Sequence, residues 1–239
     1  MKLLVSVMDE KETVEALKGA RDIIIDIKNP KEGSLGANFP YMIAKVNRVI
    51  PNGVETSAAI GDMPNLPGTA SLAALGTAAC GVNYVKVGLK GLKTKEEAIY
   101  LMKNVVKAIK EFDKSIKVVA AGYGDYIRSK TLDPMIIPEV AYKSGADVAM
   151  IDTAIKDGKK LFDFLEVSDL KNFVKKAHGM GLMASLAGSL GKEDVEIVYS
   201  TGADVLGVRG AVCTKRDRIG GLKSNLVKEL AEKVTRMKS

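Results

Sequence analysis

The chain contains no tryptophan, a single histidine, two cysteines and only 5% aromatic residues. Each scarcity removes a class of function. So few rings leave no stacking platform for bases or sugars. Two cysteines in 239 residues do not make a disulfide framework, and Cys80, in the apolar run Ala78-Ala79-Cys80, reads as a small buried side chain. The lone His178 stands beside Gly179 near a helix end, so no Ser-His-Asp triad exists unless it is built on that residue. No metal-ligand spacing appears, and neither a metal nor an organic cofactor is expected. No glycine-rich dinucleotide fingerprint follows the first strand, which argues against a dehydrogenase. The chain also lacks an apolar run of about 18 residues, the length a membrane span needs. Its apolar start, residues 1–10, is too short for a signal peptide and reads as a first buried strand. A soluble, cytoplasmic protein is expected.

What is present is charge and apolar bulk. Apolar residues make up 46% of the chain, and the formal net charge is +7. The lysines and arginines are interleaved with acids and form no basic tail or helix stripe. Nucleic acid is therefore not expected as a partner, whereas an anionic small ligand needs only a local basic cluster.

Short β-rich runs recur along the chain near Leu3–Val7, Asp22–Ile27, Thr56–Ile60, Tyr84–Leu89, Lys117–Ala121, Val148–Asp152, Leu182–Leu186 and Val205–Val208. Their spacing is that of successive βα units. Runs such as Ile23-Ile24-Ile25 are continuously apolar, as in parallel strands covered on both faces. Between them the apolar period becomes helical. Glu96–Phe112 places Ala98, Leu101, Val105, Ala108 and Ile109 on one face, and Thr94 with Glu97 resembles a capping box. Leu170–Ala177 and Leu226–Val234 behave similarly. A repeated junction, Gly81-Val82-Asn83, Gly145-Ala146-Asp147 and Gly202-Ala203-Asp204, precedes three of the strands, with glycine able to end a helix in the left-handed conformation. No linker divides the chain. The expectation is a TIM (β/α)8 barrel, residues 1–239 forming a single catalytic domain.

Chemistry in such a barrel sits at the C-terminal ends of the strands. There the apolar runs are interrupted by charge. Alternation puts Asp26 and Lys28 on one face, Lys86 is flanked by valines, and Asp152 is followed four residues later by Lys156. Any one pair could be a structural ion pair. Three lysines and two acids at three strand ends are better explained by function, because burying charge is costly. A lysine beside other cations in a dry site has a lowered pKa and can attack a carbonyl to form a Schiff base. The last two strands lead into Ser185–Gly191 and Gly207–Ala211, turns suited to a phosphate. Gly188, Ser189, Gly207, Arg209 and Gly210 are the candidates for that phosphate. Lys31, Ser34 and Gly36 form a further polar loop for a second anion, with Lys31 as its charge.

With these residues in view, the sequence resembles the (5-formylfuran-3-yl)methyl phosphate synthase family of methanofuran biosynthesis. The resemblance rests on the stretch from Asp26 to Asn38, on Tyr84-Val85-Lys86-Val87-Gly88-Leu89, and on Gly207-Val208-Arg209-Gly210-Ala211-Val212-Cys213. It runs the whole length. One departure is Ser6-Val7 where Ser-Pro is expected, and it removes no reactive group. The resemblance implies an archaeal enzyme that condenses two molecules of glyceraldehyde 3-phosphate into a furan aldehyde phosphate, with loss of phosphate and water. It implies Lys28 as the Schiff-base lysine, Lys86 as the proton-transfer group, and Asp26, Asp152 and Lys156 as their partners. Two other readings stay open on the residues alone: a Schiff-base aldolase acting on another sugar phosphate, and a non-catalytic sensor of a phosphorylated ligand. Barrels of this size often pair through their outer helices, so a homo-oligomer is expected.

Overall fold

Eight apolar runs need cover on both faces, and a closed parallel barrel wrapped in helices provides it. The computed structural model describes residues 1–237. Its strands are β1 (Lys2–Val7), β2 (Ile23–Ile27), β3 (Glu55–Asp62), β4 (Tyr84–Gly88), β5 (Lys117–Tyr123), β6 (Val148–Asp152), β7 (Met183–Leu186) and β8 (Val205–Val208). They pair in sequence order, and β8 closes on β1. The helices are α1 (Glu10–Gly19), α2 (Pro40–Val49), α3 (Pro67–Ala78), α4 (Lys95–Phe112), the short α5 (Tyr126–Ser129), α6 (Ile137–Ser144), α7 (Val167–Gly179), α8 (Val195–Ser200) and α9 (Ser224–Arg236). No described helix is long and apolar enough to cross a membrane.

The main core lies between the barrel wall and this helical ring. The outward-facing Val5, Ile25, Val85, Val118, Ile151 and Leu206 are all buried there. From α4, Ala98, Leu101, Val105 and Ile109 are fully buried in the same core, while Ala108 of the expected stripe is only half-buried. Truncating one such leucine to alanine costs about 2–5 kcal/mol. Thr94 caps α4 by accepting from the Glu97 amide at 3.1 Å. Glu97 returns its bond to Lys93 N rather than to Thr94 N, so the expected box closes one residue early.

The glycine junctions have a common mechanism. Gly81, Gly145 and Gly202 take φ values of 84°, 78° and 83°, where a side chain would be strained. The polar residue two positions later then reaches back to the preceding strand. Asn83 Oδ1 accepts from Thr56 N at 2.8 Å, Asp147 Oδ2 from Val118 N at 2.7 Å, and Asp204 Oδ2 from Ala184 N at 2.7 Å. Each junction thereby fixes where the next strand enters the sheet. His178 joins the last of them, its Nε2 lying 2.8 Å from Asp204 Oδ2.

Three expectations need correction. Strand β5 extends to Tyr123 rather than ending at Ala121. Strand β3 runs on to Asp62, past a register irregularity that begins after Ala59, with Gly61 at φ 100° absorbing it. Cys80 is only half-buried; its thiol lies 3.4 Å from the Pro40 carbonyl and 3.3 Å from that of Gly76.

Where the strands begin, Lys2 pairs with Glu55, and the Tyr84 hydroxyl donates to the same carboxylate at 3.0 Å. Lys117 donates to Tyr84 Oη at 3.2 Å and lies over its ring, 5.1 Å from the centroid.

Candidate active site

The opposite end of the barrel opens into a cavity of about 310 Å3, near the lower bound for small-molecule sites. Strand register explains which side chains reach it. Ser6 of β1 pairs with Asp26 of β2, so the two share a face, and Ser6 Oγ donates to Asp26 Oδ2 at 2.8 Å. On β3 the neighbouring inward positions are the small Ser57 and Ala59, which pair with Asp26 and Lys86 respectively. With so little bulk between them, Lys86 reaches across, and its Nζ lies 2.6 Å from Asp26 Oδ1. Both residues are at most 1% exposed. The contact is an ion pair without hydrogen-bond alignment, and neither atom has another partner among the described residues.

The second pair sits after β6. Asp152 Oδ1 accepts from the Thr153 amide at 2.7 Å and from Lys156 Nζ at 2.5 Å. Lys156 also donates to Thr153 Oγ1 at 3.0 Å. Burial pushes the Asp152 carboxyl up, but Lys156 and Lys28 outweigh it and hold the pKa at about 2. Asp26 follows the same logic: burial raises it, and Lys86 and Lys28 bring it below the ordinary range. Both acids therefore stay ionised.

Lys28 lies between the pairs and belongs to neither. It is 6% exposed, and its ammonium makes no hydrogen bond or ion pair among the described residues. Burial lowers its pKa first. Asp152 opposes the shift, Lys86 adds to it, and the result is about 7. A large share of the Lys28 population is therefore a neutral, nucleophilic amine near neutral pH.

Around the mouth, the structure brings Gly188, Ser189, Gly207, Arg209 and Gly210 to the same cavity. Gly188 has φ 118°, and a Cβ there would come 3.0 Å from Thr153 Cγ2, so only glycine lets this turn pack against the β6 loop. Ser189 is also left-handed, at φ 55°. Lys31 is not brought in. It is exposed on the turn Pro30–Glu32, outside the cavity lining. Arg209 is buried and heavily engaged. Nη1 donates to Glu12 Oε2 at 2.5 Å and to Ser6 O at 2.9 Å, Nη2 to Glu12 Oε1 at 2.9 Å, and Nε to Arg218 O at 2.8 Å.

Sequence reasoning missed several cavity residues. Lys160 lines the mouth and is paired with Glu193 and Asp194; Arg216 is paired with Glu193. Arg218 lines it as well, and its Nη2 donates to Gly33 O at 3.0 Å. The one available signal was the density of charge in Lys215-Arg216-Asp217-Arg218. Asp125 was also missed. It is buried and accepts from the amides of Ala154 at 2.6 Å and Ile155 at 3.0 Å, holding the loop that carries Lys156. Among the described residues, no group of three or more His, Cys, Asp or Glu side chains could hold a metal ion.

Comparison with known proteins gives a consistent answer. The family model described as 4-HFC-P synthase matches residues 3–231. A (5-formylfuran-3-yl)methyl phosphate synthase from Methanopyrus kandleri is 53% identical over 232 residues, covering 97% of this chain and 98% of that protein. Its counterpart from Methanocaldococcus jannaschii is 53% identical over 233 residues, covering 97% and 99%. Among solved structures, a 3-hexulose-6-phosphate synthase superposes with a TM-score of 0.67 at 20% identity, over 98% of this chain and 100% of that one. At that identity the likeness speaks for the barrel fold alone.

Proposed function

This chain belongs to the 4-HFC-P synthase family, and on that premise we propose that it condenses two molecules of glyceraldehyde 3-phosphate into (5-formylfuran-3-yl)methyl phosphate through a Schiff base on Lys28. One phosphate and two waters balance the two trioses against the furan, which makes the enzyme a carbon–oxygen lyase of methanofuran biosynthesis. The observation that carries the mechanism is Lys28 itself: a buried, unpaired amine with a pKa near 7, between two lysine–aspartate pairs.

The chemistry follows from charge. Neutral Lys28 attacks the aldehyde carbon of one triose, and water leaves as the iminium forms. The iminium draws electrons from the neighbouring carbon and acidifies its C–H. Lys86, poised on the Asp26 carboxylate, moves the proton at that carbon. The enamine so formed expels phosphate or adds to the aldehyde of the second triose. Lys156, held by Asp152 and Thr153, relays protons to departing hydroxyl groups. Ring closure, dehydration and release from Lys28 give the aromatic furan. The left-handed turn at Gly188 and Ser189, with Gly207 and Gly210 opposite, receives phosphate on backbone amides.

Incubation with glyceraldehyde 3-phosphate and borohydride tests this directly. A stable mass adduct on the peptide bearing Lys28 is expected, together with the strong ultraviolet absorbance of a furan aldehyde when borohydride is omitted. Turnover without an adduct would leave Lys28 as an acid, a base or a charge. An adduct with no ultraviolet-absorbing product would make the enzyme an aldolase.

A further inference from the structure

The cationic side chains that line the cavity divide into two groups. Most are neutralised by an acid of the protein. Lys28 and Arg218 alone have no ion-pair partner among the described residues. Lys28 is assigned to covalent chemistry, and a guanidinium cannot share that role because it stays protonated.

The position of Arg218 is built from both ends of the barrel sequence. Glu12 grips Arg209 through two guanidinium nitrogens, and Arg209 Nε holds the Arg218 carbonyl. The Arg218 side chain then crosses to Gly33 O in the loop after β2. One of its five N–H donors is used in this way, and the others have no protein acceptor among the described residues. The residue is half-buried, and its pKa is lowered by that burial and by Arg209, against the opposing charge of Asp152. A cation held in this state gains most from an oxyanion presenting two oxygens, which the planar fork of N–H groups fits better than an ammonium does.

We propose that Arg218 is the side-chain anion receptor of this site, binding the phosphate of one of the two triose substrates bidentately. The backbone turn at Gly188 and Ser189, on the β6–β7 side of the mouth, serves the other phosphate. This rests on the reading of the substrates as phosphorylated aldehydes. It also gives Arg209 a different place from a direct phosphate ligand: Arg209 holds the backbone from which Arg218 extends.

Inorganic phosphate is the probe. Calorimetric titration of the intact protein and of R218Q is expected to show one phosphate-binding event lost, or weakened tenfold or more, in the variant. An unchanged isotherm, or no phosphate binding by the unaltered protein, overturns the proposal. The same two proteins, trapped with borohydride and unphosphorylated glyceraldehyde at saturation, are expected to form equal Lys28 adducts, because that aldehyde offers Arg218 nothing to bind. A matching loss of adduct in R218Q would show a merely structural role and also overturn it. Phosphate binding that depends on Arg218, with no adduct in either protein, would support the receptor while refuting the Schiff base. R218K keeps the charge without the fork and is expected to fall between the two. Should R218Q melt early, R218K carries the same comparison.

Discussion

Both ends of the barrel set lysines against acids, but under different conditions. Where the strands begin, Lys2, Glu55, Tyr84 and Lys117 form a continuous chain of contacts, and the Lys2 and Glu55 side chains are 46% and 31% exposed. Water screens them, and every group has a partner. Where the strands end, Asp26, Lys86 and Asp152 are at most 2% exposed, and among the described residues the Lys86 ammonium lacks an aligned hydrogen bond and Lys28 has no partner. The first arrangement is cheap to keep and worth little, as exposed ion pairs generally are. The second is expensive to keep, because desolvation works against every charge in it. Expense without structural return is what sets this end of the barrel apart from the other.

The largest expected effect comes from removing the unpaired charge. Lys28→Met should abolish both the borohydride adduct and detectable furan formation. The melting temperature should hold or rise, since the substitution removes a buried amine and keeps an apolar stem. A fall of several degrees would mean that Lys28 supports the fold and would collapse the contrast between the two ends.

Asp26→Asn leaves the Lys86 ammonium buried without its counter-charge, and should cost about 3–5 kcal/mol in denaturant unfolding. Adding Lys86→Met to the same chain should recover most of that loss and none of the activity. No recovery would show that the pair is not a desolvated charge problem.

A tenfold effect is expected from pH. Adduct formation requires the neutral amine, so its rate should rise about tenfold between pH 6 and pH 8 around a pKa of about 7. The stability sign runs the same way. Lys28 titrates lower in the folded chain than in the unfolded one, so between about 7 and 10.5 the unfolded chain holds the extra proton and stability rises with pH. Lys28→Met should remove that slope. Asp152 acts at the acid end: its contribution is present above 3.8 and is lost as pH falls toward about 2.

The smallest effect is expected at the other end of the barrel. Glu55→Gln should cost roughly 0.2–1 kcal/mol and leave turnover unchanged. A loss comparable to that of Asp26→Asn would erase the distinction between the two ends.

The fold was legible because barrel strands are short, apolar and bounded by turn residues. Six of the eight expected runs lie within a residue of the observed bounds at both ends; β3 and β5 extend two residues further. Those extensions carry Asp62 and Tyr123, whose hydroxyl donates to that carboxylate. Polar residues beyond an apolar run give no strand signal until the neighbouring strand is known. In the site, Asp26, Lys28, Lys86, Asp152 and Lys156 were visible because charge inside an apolar run is a local anomaly. Lys31 looked similar but stands on an exposed turn, and its sequence neighbourhood does not distinguish the two situations. Arg209 was visible as a charge after β8, but its engagement was not, because Glu12 lies 197 residues away. Arg218 escaped notice for a related reason. Its meaning depends on Gly33, 185 residues distant, and on which of its charged neighbours are already neutralised.

The closure of β8 on β1 has a consequence for the order of events during synthesis. Ser6 and Arg209, which meet across that seam, are 203 residues apart, so a ribosome delivers the second long after the first. Until then the cavity that encloses Lys28 lacks the β8 residues that line it, and the burial that chiefly lowers its pKa is incomplete. A growing chain therefore carries Lys28 as a side chain closer to an ordinary, protonated lysine. The environment that lowers its pKa is complete only when the last strand docks.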